Sequence, residues 1–425
     1  MHKSDRRPVL FIVFISILLV SLGCARVQDT APHRPSSPLA SPSPGRIYLP
    51  GVSSGRSTPP PSPSPTATDE PQAPEAPTPL PPPVPKPDYG VQLHIPPRWE
   101  MEQTLRWAEG LGVGWIKHQV QWHTIEHGPD DFDWQNLDRV VDGAEGYGFK
   151  LLLSVTRAPD WTREVELEGG PPADYAEFGR FMEQLAGRYR GRVEAYELWN
   201  EPNLAREWRG DTLDPSRFAS LVAEGAVGVR AADSDAIVVS GAPAVTGIDD
   251  GETALADRPF LSGMLDAGVA EHVDAIGAHP YGYANPPQES VADETHAATS
   301  HNDHPTFFFR DTLEDYHRIM LQHGVDRHQI WVTEFGWPSP EGIGDMDMTG
   351  WEYGRDVDES EQADYIVQAF HMGDQRPWVG PMFLWNLNLA HIWGADNTFS
   401  AYSLVRPDGS FRPAYVALRL TQPLD

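Results

Sequence analysis

The sequence predicts an α/β chain: a (β/α)₈ TIM barrel preceded by a signal peptide and a disordered Pro-rich linker. Three observations carry that prediction. Composition changes sharply near residue 87, with Pro, Ser, Ala and Thr dominating before it and all fourteen Trp lying after it. From Tyr89 onward, short runs rich in β-branched residues alternate with amphipathic stretches of helical length, the pattern of repeated βα units around a parallel sheet. The 339 residues left after the first 86 exceed the roughly 250 of a plain barrel, leaving room for long loops.

The organisation expected is therefore 1–24 as a signal segment, 25–87 as linker and 88–425 as one folded domain. Lys3, Arg6 and Arg7 precede an apolar run from Val9 to Leu22. That run has the length of a signal-peptide core and is short for a free-standing membrane span. Cys24 is the only cysteine, so no disulfide can form within the chain. The linker has too few apolar side chains to offset the entropy of ordering, and should be a partly polyproline-II tether.

Eight strand candidates follow in order: Tyr89–His94, Trp115–Trp122, Lys150–Thr156, Val193–Asn200, Ala236–Ser240, Val273–His279, Gln329–Phe335 and Pro381–Leu387. A helix bearing Leu105, Trp107 and Ala108 joins the first two, and another near Leu137–Tyr147 joins the next. Phe178, Phe181, Met182 and Leu185 recur at i, i+3, i+4 and i+7, marking a helix over Tyr175–Tyr189. Asp214-Pro215 reads as an N-cap and first helical residue. The long connections Gly282–Pro305 and Pro338–Glu359 leave the C-terminal ends of strands six and seven, the face on which barrels build active sites.

Charge narrows the partners. The chain has 32 basic against 61 acidic residues, a net −29, and the first 86 residues are slightly basic. An acidic surface repels phosphate backbones and anionic lipid, so nucleic acid is excluded as a partner. His296, His301, Asp303 and His304 match no metal-ligand spacing, and Asp345, Asp347, Asp356 and Asp358 lack the spacing and glycine of a calcium loop. No metal or cofactor is expected, and the chain should be a monomer.

Two strand-end glutamates carry the chemistry: Glu201 in Glu197-Leu198-Trp199-Asn200-Glu201-Pro202-Asn203, and Glu334 in Trp331-Val332-Thr333-Glu334-Phe335-Gly336-Trp337. A pair of carboxyl groups whose environments push their pKa values apart can protonate a glycosidic oxygen and stabilise or attack the sugar's cationic carbon.

These two segments resemble those of glycoside hydrolase clan A, the retaining (β/α)₈ glycosidases that include cellulase- and β-xylosidase-like families. The resemblance spans Tyr89 to about Leu420. It implies Glu201 as acid/base, Glu334 as nucleophile and Asn200 as donor to the sugar 2-hydroxyl. His279-Pro280-Tyr281 is similar to the clan's His-x-Tyr element, whose Tyr bonds the nucleophile. Trp385 stands where the clan places an aromatic floor, and His94 and Trp122 are further candidate walls. One position departs from the pattern: Lys117 stands about where many members carry an Arg. It can contact the nucleophile or pair with Glu197 inside the barrel.

The function implied is double-displacement cleavage of β-glycosidic bonds in a poly- or oligosaccharide, with burial and the nearby Glu334 charge keeping Glu201 protonated. The carboxyl separation should then be roughly 5–5.5 Å. A non-catalytic carbohydrate-binding barrel and a glycan-remodelling transglycosidase are the alternatives. Cys24 after Leu22-Gly23 resembles a lipobox. The expectation is an exported cell-surface lipoprotein touching membrane only through that anchor, or otherwise a secreted or N-terminally anchored protein. Trp199 and Trp331 are expected to pack outward against helices. Trp337, Trp351, Tyr353 and Trp393 sit in active-face loops, either as sugar platforms or as loop core.

Overall fold

A computed structural model describes residues 80–96, 101–165 and 169–424. The signal segment, the lipobox cysteine Cys24 and nearly all of the linker lie outside the described residues. Eight parallel strands close into a barrel: β1 Lys86–Gln92, β2 Val113–Gln121, β3 Lys150–Thr156, β4 Ala195–Leu198, β5 Ile237–Ser240, β6 Ala275–Ala278, β7 Gln329–Phe335 and β8 Val379–Leu384, with β8 returning to pair with β1. All eight predicted strands exist, and β3 and β7 have the predicted bounds. Strands four and six are shorter than their apolar runs, because the chain turns out of the sheet to form the site.

The last residues of the expected linker belong to the barrel. The Val84 amide donates to the Arg419 carbonyl, and the buried Lys86 ammonium donates to the carbonyls of Val84, Leu111 and Arg419. The Pro-rich composition up to Pro87 carries no strand pattern, so β1 begins three residues before the expected Tyr89.

Outside the barrel lie α1 Met101–Leu111, α2 Gln135–Tyr147, α3 Tyr175–Arg188, α4 Pro215–Ala232, α5 Asp257–Asp266, α6 Phe309–Gln322 and α7 Glu359–Asp374. Each presents an apolar stripe to the strands, such as Phe178, Phe181, Met182 and Leu185 of α3, all fully buried. Asp214 caps α4 as its sequence suggests, its carboxylate accepting from the Ser216 amide. After β8 come α8 Leu389–Trp393 and α9 Pro413–Leu420.

The barrel interior is filled, not hollow. Trp115, Leu152, Ala195, Val239, Ala275, Trp331 and Phe383, one from each of β2 to β8, form a single cluster. Three large rings crowd it, with Trp115 5.3 Å from Trp331 and 5.9 Å from Phe383. Small residues oppose them, and on β1 a Cβ at Gly90 would stand 2.5 Å from the Phe383 ring.

Trp331 therefore faces inward, contrary to the outward packing expected of it. Met382 and Leu384 of β8 pair with Val332 and Phe335 of β7, so β7 carries one extra residue over that span. This bulge breaks simple alternation and lets Trp331 and Glu334, an odd number of residues apart, both point into the barrel.

Candidate active site

Glu201 is not placed by strand parity. β4 ends at Leu198, and the chain then passes through two non-glycine residues of positive φ, Trp199 at 80° and Glu201 at 45°. Such conformations cost of order 1–3 kcal/mol each and persist only where the surroundings over-determine them. Here the Trp199 amide donates to Val155 O and the Glu201 amide to Ala242 O, tying the turn to β3 and to the chain beyond β5. The Trp199 ring turns outward onto Phe178 of α3, as expected, and its indole N–H donates to Glu207 O. Asn203 staples the turn from below. Its amide nitrogen donates to Ala244 O and Leu255 O while its oxygen accepts from the Ala244 amide.

Glu334 is held on two sides. Tyr281 Oη donates to its Oε2 at 2.9 Å, and Lys117 Nζ stands 3.1 Å from its Oε1. Lys117 reaches Glu197 Oε2 as well, at 2.9 Å, and both of those side chains are completely buried. The two roles weighed for Lys117 are thus combined in one ammonium. Burial alone would lower the Lys117 pKa, but the charges of Glu197 and Glu334 outweigh it and the pKa rises. Burial likewise favours a neutral Glu197, but Lys117 and His279 overcome it and hold that carboxyl below its usual range.

His279 sits between the glutamates, fully buried. Its Nδ1 is 3.3 Å from Glu201 Oε1 and 3.9 Å from Glu334 Oε2, and its Nε2 is 4.0 Å from Glu197 Oε1. Laid end to end, the first two distances limit the gap between those glutamate oxygens to at most about 7.2 Å. A chain of contacts, Glu201–His279–Glu197–Lys117–Glu334, links the two carboxylates.

The charge state of Glu201 differs from the expectation. Burial raises its pKa, but the contact with His279 and the Arg206 guanidinium outweigh burial and pull it down to about 2. Arg206 Nη2 donates to Glu201 Oε2 at 2.7 Å. Arg206 stands five residues after Glu201 in a loop with no recognisable motif, so no sequence pattern singled it out.

The remaining predicted residues divide. Asn200 is buried directly before Glu201. Trp385, half-buried at the end of β8, is braced edge-on by Tyr281 at 6.3 Å and by Tyr402 at 5.1 Å between ring centroids. His94 lies 6.5 Å from the Trp385 ring, its backbone clamped by both polar atoms of Asn388. Trp393 approaches the His94 ring at 6.1 Å, whereas Trp337, Trp351 and Tyr353 are buried loop core. Trp122 does not line the site. β2 ends one residue earlier, and a 3₁₀ turn carries the ring outward, where it stacks on Phe181 of α3 at 4.9 Å and donates to Glu126 Oε2. Among the described residues, no group of three or more His, Cys, Asp or Glu is placed to hold a metal ion.

Residues 90–372 match the model of the cellulase family, glycosyl hydrolase family 5. The chain belongs to that family. This family 5 chain is 28% identical over 164 residues to a beta-xylosidase of Caldicellulosiruptor saccharolyticus, covering 35% of this chain and 31% of that protein. It thus spans about a third of the length of that relative. Its fold is similar to that of a family 39 glycoside hydrolase from the gut symbiont Bacteroides cellulosilyticus, with TM-score 0.60 and 22% identity over 79% of this chain and 63% of the other. It is similar too to the endoglucanase Cel5A of Thermotoga maritima, with TM-score 0.51 and 14% identity over 78% and 96%. Family 5 membership agrees with the clan A resemblance that the two glutamate motifs carry.

Proposed function

We propose that this family 5 chain is a retaining glycoside hydrolase that cleaves β-glycosidic bonds of a poly- or oligosaccharide, with Glu334 as nucleophile and Glu201 as acid/base. The observation that carries this reading is the pair of glutamates flanking one buried histidine at the C-terminal mouth of the barrel. An upper bound of about 7.2 Å between one oxygen of each glutamate is compatible with the short carboxyl separation of retaining enzymes.

In the first half-reaction Glu334 Oε attacks the anomeric carbon while the bond from that carbon to the leaving oxygen breaks. The proton on Glu201 passes to that oxygen. The product is a glycosyl ester of Glu334 and an ionised Glu201. In the second half-reaction Glu201 takes a proton from water, the hydroxide oxygen bonds the anomeric carbon, and Glu334 leaves as carboxylate. Lys117 and Tyr281 orient Glu334 and stabilise it as the leaving carboxylate of that step. Asn200 faces the 2-hydroxyl in this scheme, and Trp385 stacks on the sugar's C–H face.

The family name and the beta-xylosidase relative point to β-linked glucosyl or xylosyl substrates. Hydrolysis of aryl β-cellobiosides and β-xylosides by the wild type, abolished in Glu334→Gln, is the expected result. Glu201→Ala should keep turnover of dinitrophenyl glycosides and, with azide, release the β-glycosyl azide. An α-azide, or no wild-type turnover across a broad glycan panel, would overturn the assignment.

A further inference from the structure

We propose that Arg206 is a positioning residue for Glu201: its guanidinium bonds the Oε2 oxygen and favours the ionised carboxylate, and this contact loosens as an incoming leaving group enters, so that Glu201 can carry the proton it donates. The proposal rests on the acid/base reading of Glu201 and deepens it.

Both oxygens of Glu201 are engaged in the free site, Oε2 by Arg206 at 2.7 Å and Oε1 by His279 at 3.3 Å. A proton donor needs one oxygen carrying hydrogen and aimed at the leaving atom. A guanidinium does not deprotonate and only donates, so its contact at Oε2 favours the carboxylate over the neutral acid. Arg206 therefore opposes the arrival of the proton that Glu201 must carry to act as an acid. The pair is mostly buried, with side-chain exposures of 22% and 13%, so solvent screens it only in part.

The surroundings of Glu201 are mixed in charge. From its own loop come Arg206 and the buried Glu207, itself 3.4 Å from Arg206 Nε, with Arg157 at the end of β3 acting on Glu207. From β6 and beyond come His279, Tyr281 and Tyr283, and from β7 Glu334. Within this set, His279 and Arg206 are the groups that hold Glu201 ionised, and Arg206 is the permanent cation. His279 is fixed beneath both glutamates, so Arg206 is the partner that can loosen as an aglycone enters.

The test is the pH dependence of kcat/KM on phenyl and dinitrophenyl β-cellobiosides and β-xylosides. The phenyl leaving group needs protonation and the dinitrophenyl group does not. Removing the cation raises the Glu201 pKa, so its acid form survives to higher pH. Arg206→Gln should move the alkaline limb for phenyl substrates upward by about one pH unit or more, with the dinitrophenyl profile unmoved. Arg206→Lys keeps the charge and should leave the limb close to wild type, which also serves if the Gln variant folds poorly. A limb that stays in place in Arg206→Gln while only the amplitude falls would overturn the proposal and indicate a merely structural arginine. The companion variant Glu201→Ala separates the two levels. If it impairs both leaving groups equally, the acid/base reading itself fails. If it spares dinitrophenyl substrates while the Arg206→Gln limb does not move, only the role of Arg206 fails.

Discussion

Lys117 is one ammonium shared by two carboxylates and the Thr333 carbonyl, with no exposed surface of its own. Taking these charges out of water is costly, and the cluster persists because each charge faces an opposite charge at contact distance. Removing the cation alone strands Glu197 and Glu334. Lys117→Met should therefore lower stability by about 3–5 kcal/mol, read as a shift of the urea midpoint, and should abolish turnover. The double change Lys117→Met with Glu197→Gln restores charge balance below the site. It should recover much of the stability without the activity, because Glu334 still lacks its cation. Equal loss in single and double variants would show that Glu197 is not the counter-charge. Arg, planar and five-donored, is not expected to fit the gap that Lys fills as a compact point charge.

At the scale of elements, function depends on places where regular structure stops. The β7 bulge turns Glu334 inward, and the positive-φ turn after β4 does the same for Glu201. The end of β2 works the opposite way, sending Trp122 out beneath α3. Trp122→Ala should accordingly behave as a packing variant. It should destabilise by about 3–5 kcal/mol while kcat and KM of the remaining folded protein stay near wild type. A selective rise in KM at unchanged stability would return Trp122 to the substrate wall. The two long loops after β6 and β7 pack on each other, Tyr283 against Tyr353 at 4.9 Å and Thr299 Oγ1 donating to Asp356. The segment after β8 joins them through Tyr402, whose hydroxyl meets that of Tyr353 at 3.3 Å. Trp385 is braced by this joint wall, so the loops support the floor of the site in place of a single lid residue.

The whole molecule carries a large negative charge, and its stability should depend on pH through groups near the site as well as through that surface. Burial pushes His118 down to about 4. Burial, with His118 and Lys117 as neighbours, pushes His94 down to about 3. Unfolded histidine titrates near 6.5, so between about 6.5 and those values the unfolded chain binds protons that the folded chain refuses. Stability is then full above about 6.5 and is lost as pH falls through that window. Glu197 and Glu201 add the same sign in a lower window. Their folded pKa values are depressed, so the stability they contribute is present above about 4.5 and fades below it. Tm should decline on acidification from about pH 7 to 5, and a His94→Gln, His118→Gln double variant should flatten that decline and leave the loss below about 4.5 intact. An unchanged slope in the double variant would refute the histidine contribution.

Much of this was legible in the chain itself. Period-two and period-3.6 patterning specified eight strands and their helices, because apolar spacing is a local property that each element must satisfy to bury one face. Asn200-Glu201 and Glu334 could be marked from motif and strand position, and Tyr281 stands at Glu334 as the motif implies. What the sequence determined by itself was the barrel, its family resemblance and the pair of glutamates at its mouth. Only the tertiary structure decided that Lys117 serves Glu197 and Glu334 together, that Trp331 faces in while Trp122 faces out, and that Arg206 occupies an oxygen of Glu201. Those outcomes turn on a one-residue bulge, a strand ending one residue early and a loop folding back. A single-residue change of register reverses which way a side chain points, and composition and periodicity carry no signal of where such a change falls.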